Sequence, residues 1–306
     1  MHVYYDERYN ACEYSFDTTR KSAKVAKAIM DGRCPEAELI APSDISVERC
    51  LAQIHDLGYI EAIQSGTPRS LSESSGFTWD DGIYTMAVAH SRGLVDATAH
   101  VLESGGQWAG SLSSGLHHAS YSRGAGYCTF NGLAASVFAA RRHGAERILV
   151  LDFDAHAGGG TMDIMNSQGD NWKGVVQCDV TVTPFDVWDD KRDTSDNRLV
   201  ISDRFKYLDD INSALSYCDR DWDFVIYNAG MDPYDEGITY EMLAERERLV
   251  VEFMQGRQGI FALAGGYLSQ PRWYNGVIVD QGLSWDGLVN LHLLTVEAWS
   301  KVSEMA

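Results

Sequence analysis

"ILVLDFDAHAGGGT", residues 148–161, decides the fold. Its first four residues are apolar without alternation, the pattern of a strand covered on both faces. It then sets Asp152, Asp154 and His156 at every second position and runs into three glycines. An extended backbone points residues two apart to one side, so these groups leave the strand end together. The glycines are expected to let the chain turn away without side-chain clash. Ionised carboxylates are costly to bury unless paired or bound to a metal. An imidazole with carboxylates suits zinc. On this stretch alone, an Asp–His hydrogen-bonded pair closing the strand is the other reading.

The rest of the chain repeats the strand-then-helix pattern. Further strands are expected at 2–5, 108–112, 174–180, 224–230 and 259–266. Helices are expected at 18–31 (stopped by Gly32), 84–104 (ended by two glycines), 131–143, near 207–218 and 239–255, and after 284–287. Residues 44–63 read as one or two helices, and 65–82 as a surface loop. Apolar strands alternating with helices predict an α/β fold in one domain spanning 1–306, a mostly parallel sheet flanked by helices on both faces. In such sheets ligands bind beyond the carboxyl ends of the strands.

Two other strand ends carry polar residues. "FVIYNAGMD" ends at Asp232, and "GIFALAGGYL" reaches Tyr267 behind Gly265 and Gly266. A lone Asp or Tyr there reads as a cap or a packed aromatic. Convergence of three strand ends on Asp, His, Asp and Tyr is harder to explain that way. A loop upstream holds the tandem His117–His118, either of which can be a base or acid near neutral pH.

Composition narrows the function classes. The formal net charge of −19 argues against nucleic acid and suits cationic ligands. No apolar run is long enough to span a bilayer, and the N-terminus lacks the pattern of a signal peptide. Six scattered cysteines without a CxxC pair predict reduced thiols in a cytoplasmic setting.

The motifs "SGLHHASYSRGAGYCTFN" (114–131), "LDFDAHAGGGT" (151–161), "NAGMD" (228–232) and "LAGGYL" (263–268), in this order, resemble the histone deacetylase and acetylpolyamine amidohydrolase superfamily, with its arginase/deacetylase-like fold. The resemblance runs from about His2 to the last helix. It implies a zinc-dependent amidohydrolase that removes an acetyl or other acyl group from an N-acylated amine. Iron could replace zinc in the same ligands. Asp154, His156 and Asp232 match the metal ligands, and His117 and His118 the catalytic histidine pair. Asp152 matches the carboxylate holding His117, and Tyr267 the donor to the oxyanion. Tyr127 matches an aromatic tunnel wall, with Gly126, Gly265 and Gly266 as substrate-binding backbone beside it; Phe185 or Trp188 would supply the opposite wall. The implied partner is a small-molecule or peptide acylated amine, with no membrane role, and self-association is left open.

Several positions depart from the family pattern. Members commonly have Asn or Asp where Gly159 stands, which leaves His118 without the group that would orient it unless a water or another side chain substitutes. The implied monovalent-cation (K+) site near Asp152 is matched only at Cys178 and Asp179. Arginase-type hydrolases share the fold, but Gly158 stands where a second-metal Asp would be needed, so one metal is expected. A non-catalytic, acyl-ligand-binding relic is the alternative that Gly159 raises. Asp80 and Asp81 are expected either to line the mouth or to cap the following helix. Arg20 resembles a family arginine near an internal channel, or is an ordinary surface residue.

Overall fold

The computed structural model describes all 306 residues except 44–46, 115, 193–195, 271, 275–276, 281 and 303–306. Gly115 of the histidine motif therefore lies outside the described residues.

Eight strands form one sheet: β1 (His2–Tyr4), β2 (Glu38–Ile40), β3 (Trp108–Ser111), β4 (Ile148–Asp152), β5 (Val175–Thr181), β6 (Arg198–Ile201), β7 (Phe224–Gly230) and β8 (Gly259–Ala264). Their order is β2-β1-β3-β8-β7-β4-β5-β6, and every pairing is parallel. A separate antiparallel pair joins β9 (Arg272–Tyr274) and β10 (Val277–Asp280). β2, β6, β9 and β10 are only three or four residues long, too short to stand out in the linear pattern.

The non-alternating strands have a direct explanation. Ile148 and Val150 of β4 enter one hydrophobic core, and Leu149 and Leu151 enter another on the opposite face. β7 divides likewise, with Phe224 and Ile226 to one core and Val225 and Tyr227 to the other. Each such side chain is fully buried, which contributes on the order of 1.5–3 kcal/mol apiece.

The helices are α1 (Asp17–Met30), α2 (Glu48–Ile54), α3 (Leu57–Ser65), α4 (Arg69–Ser72), α5 (Gly82–Ser104), α6 (Gly132–Arg142), α7 (Gly159–Gln168), α8 (Tyr207–Tyr217), α9 (Tyr240–Phe253) and α10 (Trp285–Val302). The 44–63 segment forms two helices, α3 starting where the Asp56 carboxylate accepts from the Tyr59 N–H. Asn131 caps α6 by accepting from the Ala134 N–H at 2.9 Å.

Two local expectations change. The 65–82 segment is not simply a surface loop: it contains α4, and Phe77 is buried against the rings of Phe16 and Tyr127. The triple glycine uses no positive φ: the chain bends at 154–156 and enters α7 at Gly159. Gly159 and Gly160 open α7 and are small because of what lies against them. A Cβ on Gly160 would sit 2.3 Å from the His118 carbonyl carbon, so only glycine lets α7 approach the histidine loop.

Candidate active site

The central strands β8, β7 and β4 are neighbours, and their carboxyl ends deliver Tyr267, Asp232 and the Asp152–His156 run to one place. One atom from each of Asp154, His156 and Asp232 lies within 4.8 Å of the others. His156 Nδ1 is 3.2 Å from Asp154 Oδ1 and 3.0 Å from Asp232 Oδ2. Both carboxylates are buried. Burial opposes a charge on His156, yet the close contacts and fields of the two aspartates outweigh this and raise its pKa to about 11. The cluster draws positive charge to its centre, as a cation site does.

The fit to a metal rests on further observations. Asp232 Oδ2 is buried without a hydrogen-bond donor of suitable geometry. A Cβ on Gly230 would come within 2.7 Å of Asp154 Oδ2, and one on Gly265 within 2.4 Å of Asp232 Oδ1. Glycine at both positions keeps a small space open over the carboxylates. A void of about 20 Å³ is lined by these three residues with His117, His118 and Tyr267. Two carboxylates and one imidazole are the donor set that zinc and iron accept.

Hydrogen bonds stiffen this floor. Asp152 Oδ2 lies 2.8 Å from His117 Nδ1, while its Oδ1 accepts from the Asn228 amide at 2.8 Å. Asn228 is the register partner of Asp152 across β4 and β7. Beneath, the fully buried Arg246 of α9 donates to the carbonyls of Phe153 and Gly230, tying together the two strand ends that carry ligand candidates. Neither residue stood out in the sequence. "AERERLV" reads as a charged surface helix, and only the packing shows that one of its arginines turns inward.

The histidine pair is polarised. The rings of His117 and His118 are 3.9 Å apart. Burial opposes the charge on His117, but Asp152 and Asp154 outweigh it and raise its pKa to about 10. His118 is shifted the other way, by burial and then by the charge on His117. Its Nδ1 is nevertheless held, 2.7 Å from Asp186 Oδ2. Of the two substitutes open for the group missing at Gly159, the structure shows a side chain: the partner is Asp186, from the loop after β5.

The loop holding the pair is pinned by two histidines that the sequence reading missed. His55 Nδ1 donates to the Ser120 carbonyl and its Nε2 accepts from the Asn131 N–H, both at 2.9 Å. His90 Nδ1 accepts from the Ser114 N–H at 3.1 Å, and its Nε2 donates to the Tyr9 carbonyl at 3.0 Å. Each ring needs one bare nitrogen, so both are neutral; burial lowers His55 to about 4 and His90 to about 3.

Above the floor opens a cavity of about 380 Å³ whose lining includes His118, Tyr127, Phe185, Asp235, Glu236 and Tyr267. Phe185 is the second aromatic wall, meeting the rings of His118 and His156 edge-on. Trp188 instead donates its indole N–H to Asp179 at 2.6 Å. Asp179 also accepts from the Gly158 N–H and the Gln177 amide, each at 2.9 Å, and burial followed by the field of Asp152 raises its pKa to about 8. Cys178 is buried in β5. Gly126 has a φ of 51°, and a Cβ there would meet His118 Cδ2 at 2.3 Å. Gly265 and Gly266, at φ 50° and 83°, make the turn into Tyr267. Burial raises the pKa of the Tyr267 phenol, which stays a donor at neutral pH.

Three rim assignments are settled by position. Asp80 caps rather than lines the mouth: its carboxylate accepts from the N–H groups of Gly82 at 2.7 Å and Glu13 at 2.6 Å. Asp81 stands at the N-cap of α5, and the acids on the cavity are Asp235 and Glu236. Arg20 is exposed and donates to the Glu13 carbonyl, whereas its neighbour Lys21 is buried and donates to the Gly265 carbonyl behind the site.

This arrangement defines a class, an α/β fold with a candidate metal centre at the strand ends. The profile of the histone deacetylase domain matches residues 14–190, and the chain belongs to that family. It is a deacetylase-type amidohydrolase. Histone deacetylase 2 of Arabidopsis thaliana is 24% identical over 299 residues, covering 90% of this chain and 75% of the plant protein. Among solved structures, the HD domain of HDA15 superposes with a TM-score of 0.72 at 16% identity, covering 98% of this chain and 88% of that one. An acetylpolyamine aminohydrolase from Burkholderia pseudomallei gives 0.69 at 16% identity, with 98% of each chain covered. No helix among the described residues is long and apolar enough to cross a membrane.

Proposed function

We propose that this protein hydrolyses N-acyl amides of cationic amines, using one zinc ion held by Asp154, His156 and Asp232. The observation that carries the reading is the convergence on one small void of the carboxylate-held pair His117–His118, that three-donor cluster and the Tyr267 phenol. Zinc supplies Lewis acidity when bound, polarising the acyl carbonyl and making water easier to deprotonate.

The remaining work belongs to the chain. His118, kept neutral, accepts a proton from the attacking water through Nε2 and returns it to the nitrogen of the leaving amine. Water and amide become carboxylate and free amine. His117, kept charged by Asp152, adds a fixed positive field beside the site of developing negative charge. Tyr267 donates its O–H to that charge, and Tyr127 and Phe185 flank the acyl chain. Two neighbouring groups with pKa values pushed apart suit this division of labour.

Asp235 and Glu236 at the cavity support a cationic amine, as does the net charge of −19. Acetylpolyamines fit this better than a nucleic-acid-bound substrate. Six buried, unbridged cysteines support a reducing, cytoplasmic setting. With His118 partnered by Asp186, the sequence argument for a non-catalytic relic loses its basis.

The test is zinc content together with a deacylation panel of acetylpolyamines, acetyl-lysine peptides and longer acyl amides. Stoichiometric zinc and fastest turnover of a substrate with a second amine are expected. Bound zinc with no turnover of any amide would overturn the hydrolase reading, and preference for uncharged amides would overturn the substrate class.

A further inference from the structure

The two histidines are held alike, but by carboxylates of different origin. His117 is held at Nδ1 by Asp152, from the end of β4. His118 is held at Nδ1 by Asp186, which lies between β5 and β6 and is distant in sequence from the first residue of α7, where a partner would be expected. The space explains the exchange. A Cβ on Gly159 would fall 2.3 Å from Asp186 Oδ1 and 2.5 Å from the Asp186 carbonyl oxygen. The volume that a side chain at 159 would take is filled by Asp186.

Asp186 does not reach this position by a relaxed backbone. Its φ is 58°, in the left-handed region that a residue with a Cβ adopts rarely. The segment is fastened just before it, where the Phe185 carbonyl accepts from the Ala157 N–H at 3.1 Å. Strained backbone of this kind persists where surrounding structure imposes it and often where function uses it. Here it brings the Asp186 carboxylate onto a buried imidazole nitrogen.

We infer that Asp186 is the positioning residue for His118, fixing its ring and its Nδ1–H tautomer, and that Gly159 is its spatial complement. The ring nitrogen left bare is Nε2, the atom the hydrolytic reading uses; the inference rests on that reading for its catalytic meaning, though not for its geometry. A consequence follows from adjacency. Phe185 is a cavity wall and Asp186 holds the base, so one short segment seats the acyl group and orients His118.

The experiment uses the zinc-loaded full chain with histidine ¹⁵N labels. Its variants are Asp186→Gly, Asp186→Asn, and Asp186→Gly combined with Gly159→Asp. Glycine suits the left-handed backbone, so Asp186→Gly is expected to melt no lower than wild type, yet to lose about 10–100-fold in kcat with KM within about twofold. Its His118 signals should show mixed tautomers where wild type shows Nδ1–H alone. Asp186→Asn, which keeps an acceptor, should retain the single tautomer and most of kcat. The double variant, with a carboxylate supplied from α7, should recover at least about tenfold of the lost kcat. An unchanged tautomer in Asp186→Gly would overturn the inference, as would kcat within twofold of wild type. If wild type itself turns over no amide, the hydrolase reading fails while the tautomer measurement still decides the role of Asp186.

Discussion

The floor of the cavity hangs from strand ends in fixed register, whereas its rim is made of loops whose backbone is bent to purpose. Asp152, Asp154 and Asp232 follow directly from β4 and β7, and Asn228 and Arg246 brace them with hydrogen bonds buried on every side. Tyr127 and Asp186, at φ 61° and 58°, are the two non-glycine residues with positive φ among those described, and both face His118 or the cavity. A ladder of parallel strands locates its ends to fractions of an ångström, so the floor needs little conformational strain. Loops have no such ladder and reach their targets through glycines, local strain and side-chain anchors. The departure at Gly159 is met from such a loop, by Asp186, so one route there replaces another.

The comparison can be broken most sharply at the floor. Asp154→Ala or His156→Ala should leave the protein without stoichiometric metal by elemental analysis, with turnover reduced about a thousandfold or more. Chelation of wild type should likewise lower Tm, because a ligand bound only by the folded state stabilises it. Retained zinc in Asp154→Ala would show that the floor is not the metal site.

Tyr267→Phe should keep zinc and fold while losing about 10²–10³ in kcat, the usual cost of one oxyanion donor. A rate equal to wild type would remove the phenol from the chemistry and leave Tyr267 as a wall.

Acid should loosen the histidine loop before it opens the sheet. His55 and His90 are buried neutral, with pKa values lowered to about 4 and about 3 from 6.5. A depressed folded value means that this stability is full above about pH 6.5 and drains away as pH falls towards 4 and 3. Between pH 7.5 and 5 the Tm of wild type should fall further, or rise less, than that of His55→Leu, which carries no titratable ring at this position. Equal slopes would show that His55 does not contribute to the acid sensitivity.

The smallest effect belongs to the outer rim. Glu236→Gln should lower kcat/KM for a cationic acyl amine by about threefold at low salt, with the difference vanishing at high salt and absent for an uncharged amide. Parity on both substrates would show that the mouth acid does not read charge.

The sequence by itself determined the sheet-and-helix alternation, the strand-end polar groups and the order of the four motifs. These are local: period, apolarity and turn chemistry are written within a few residues of one another. The placement of Tyr267 beside Asp232 was implied only by the family resemblance; that β8 and β7 are neighbours is decided by the tertiary structure. Only the tertiary structure decided that Asp186 serves His118, that Phe185 rather than Trp188 walls the cavity, and that Arg246 and Lys21 are inside while Arg20 and Asp80 serve the surface. The buried ones depend on which volumes and donors meet across long stretches of chain, 68 residues for His118 with Asp186 and 244 for Lys21 with Gly265. A glycine reads as missing function in one dimension, and in three dimensions the space it leaves is where another segment brings the carboxylate.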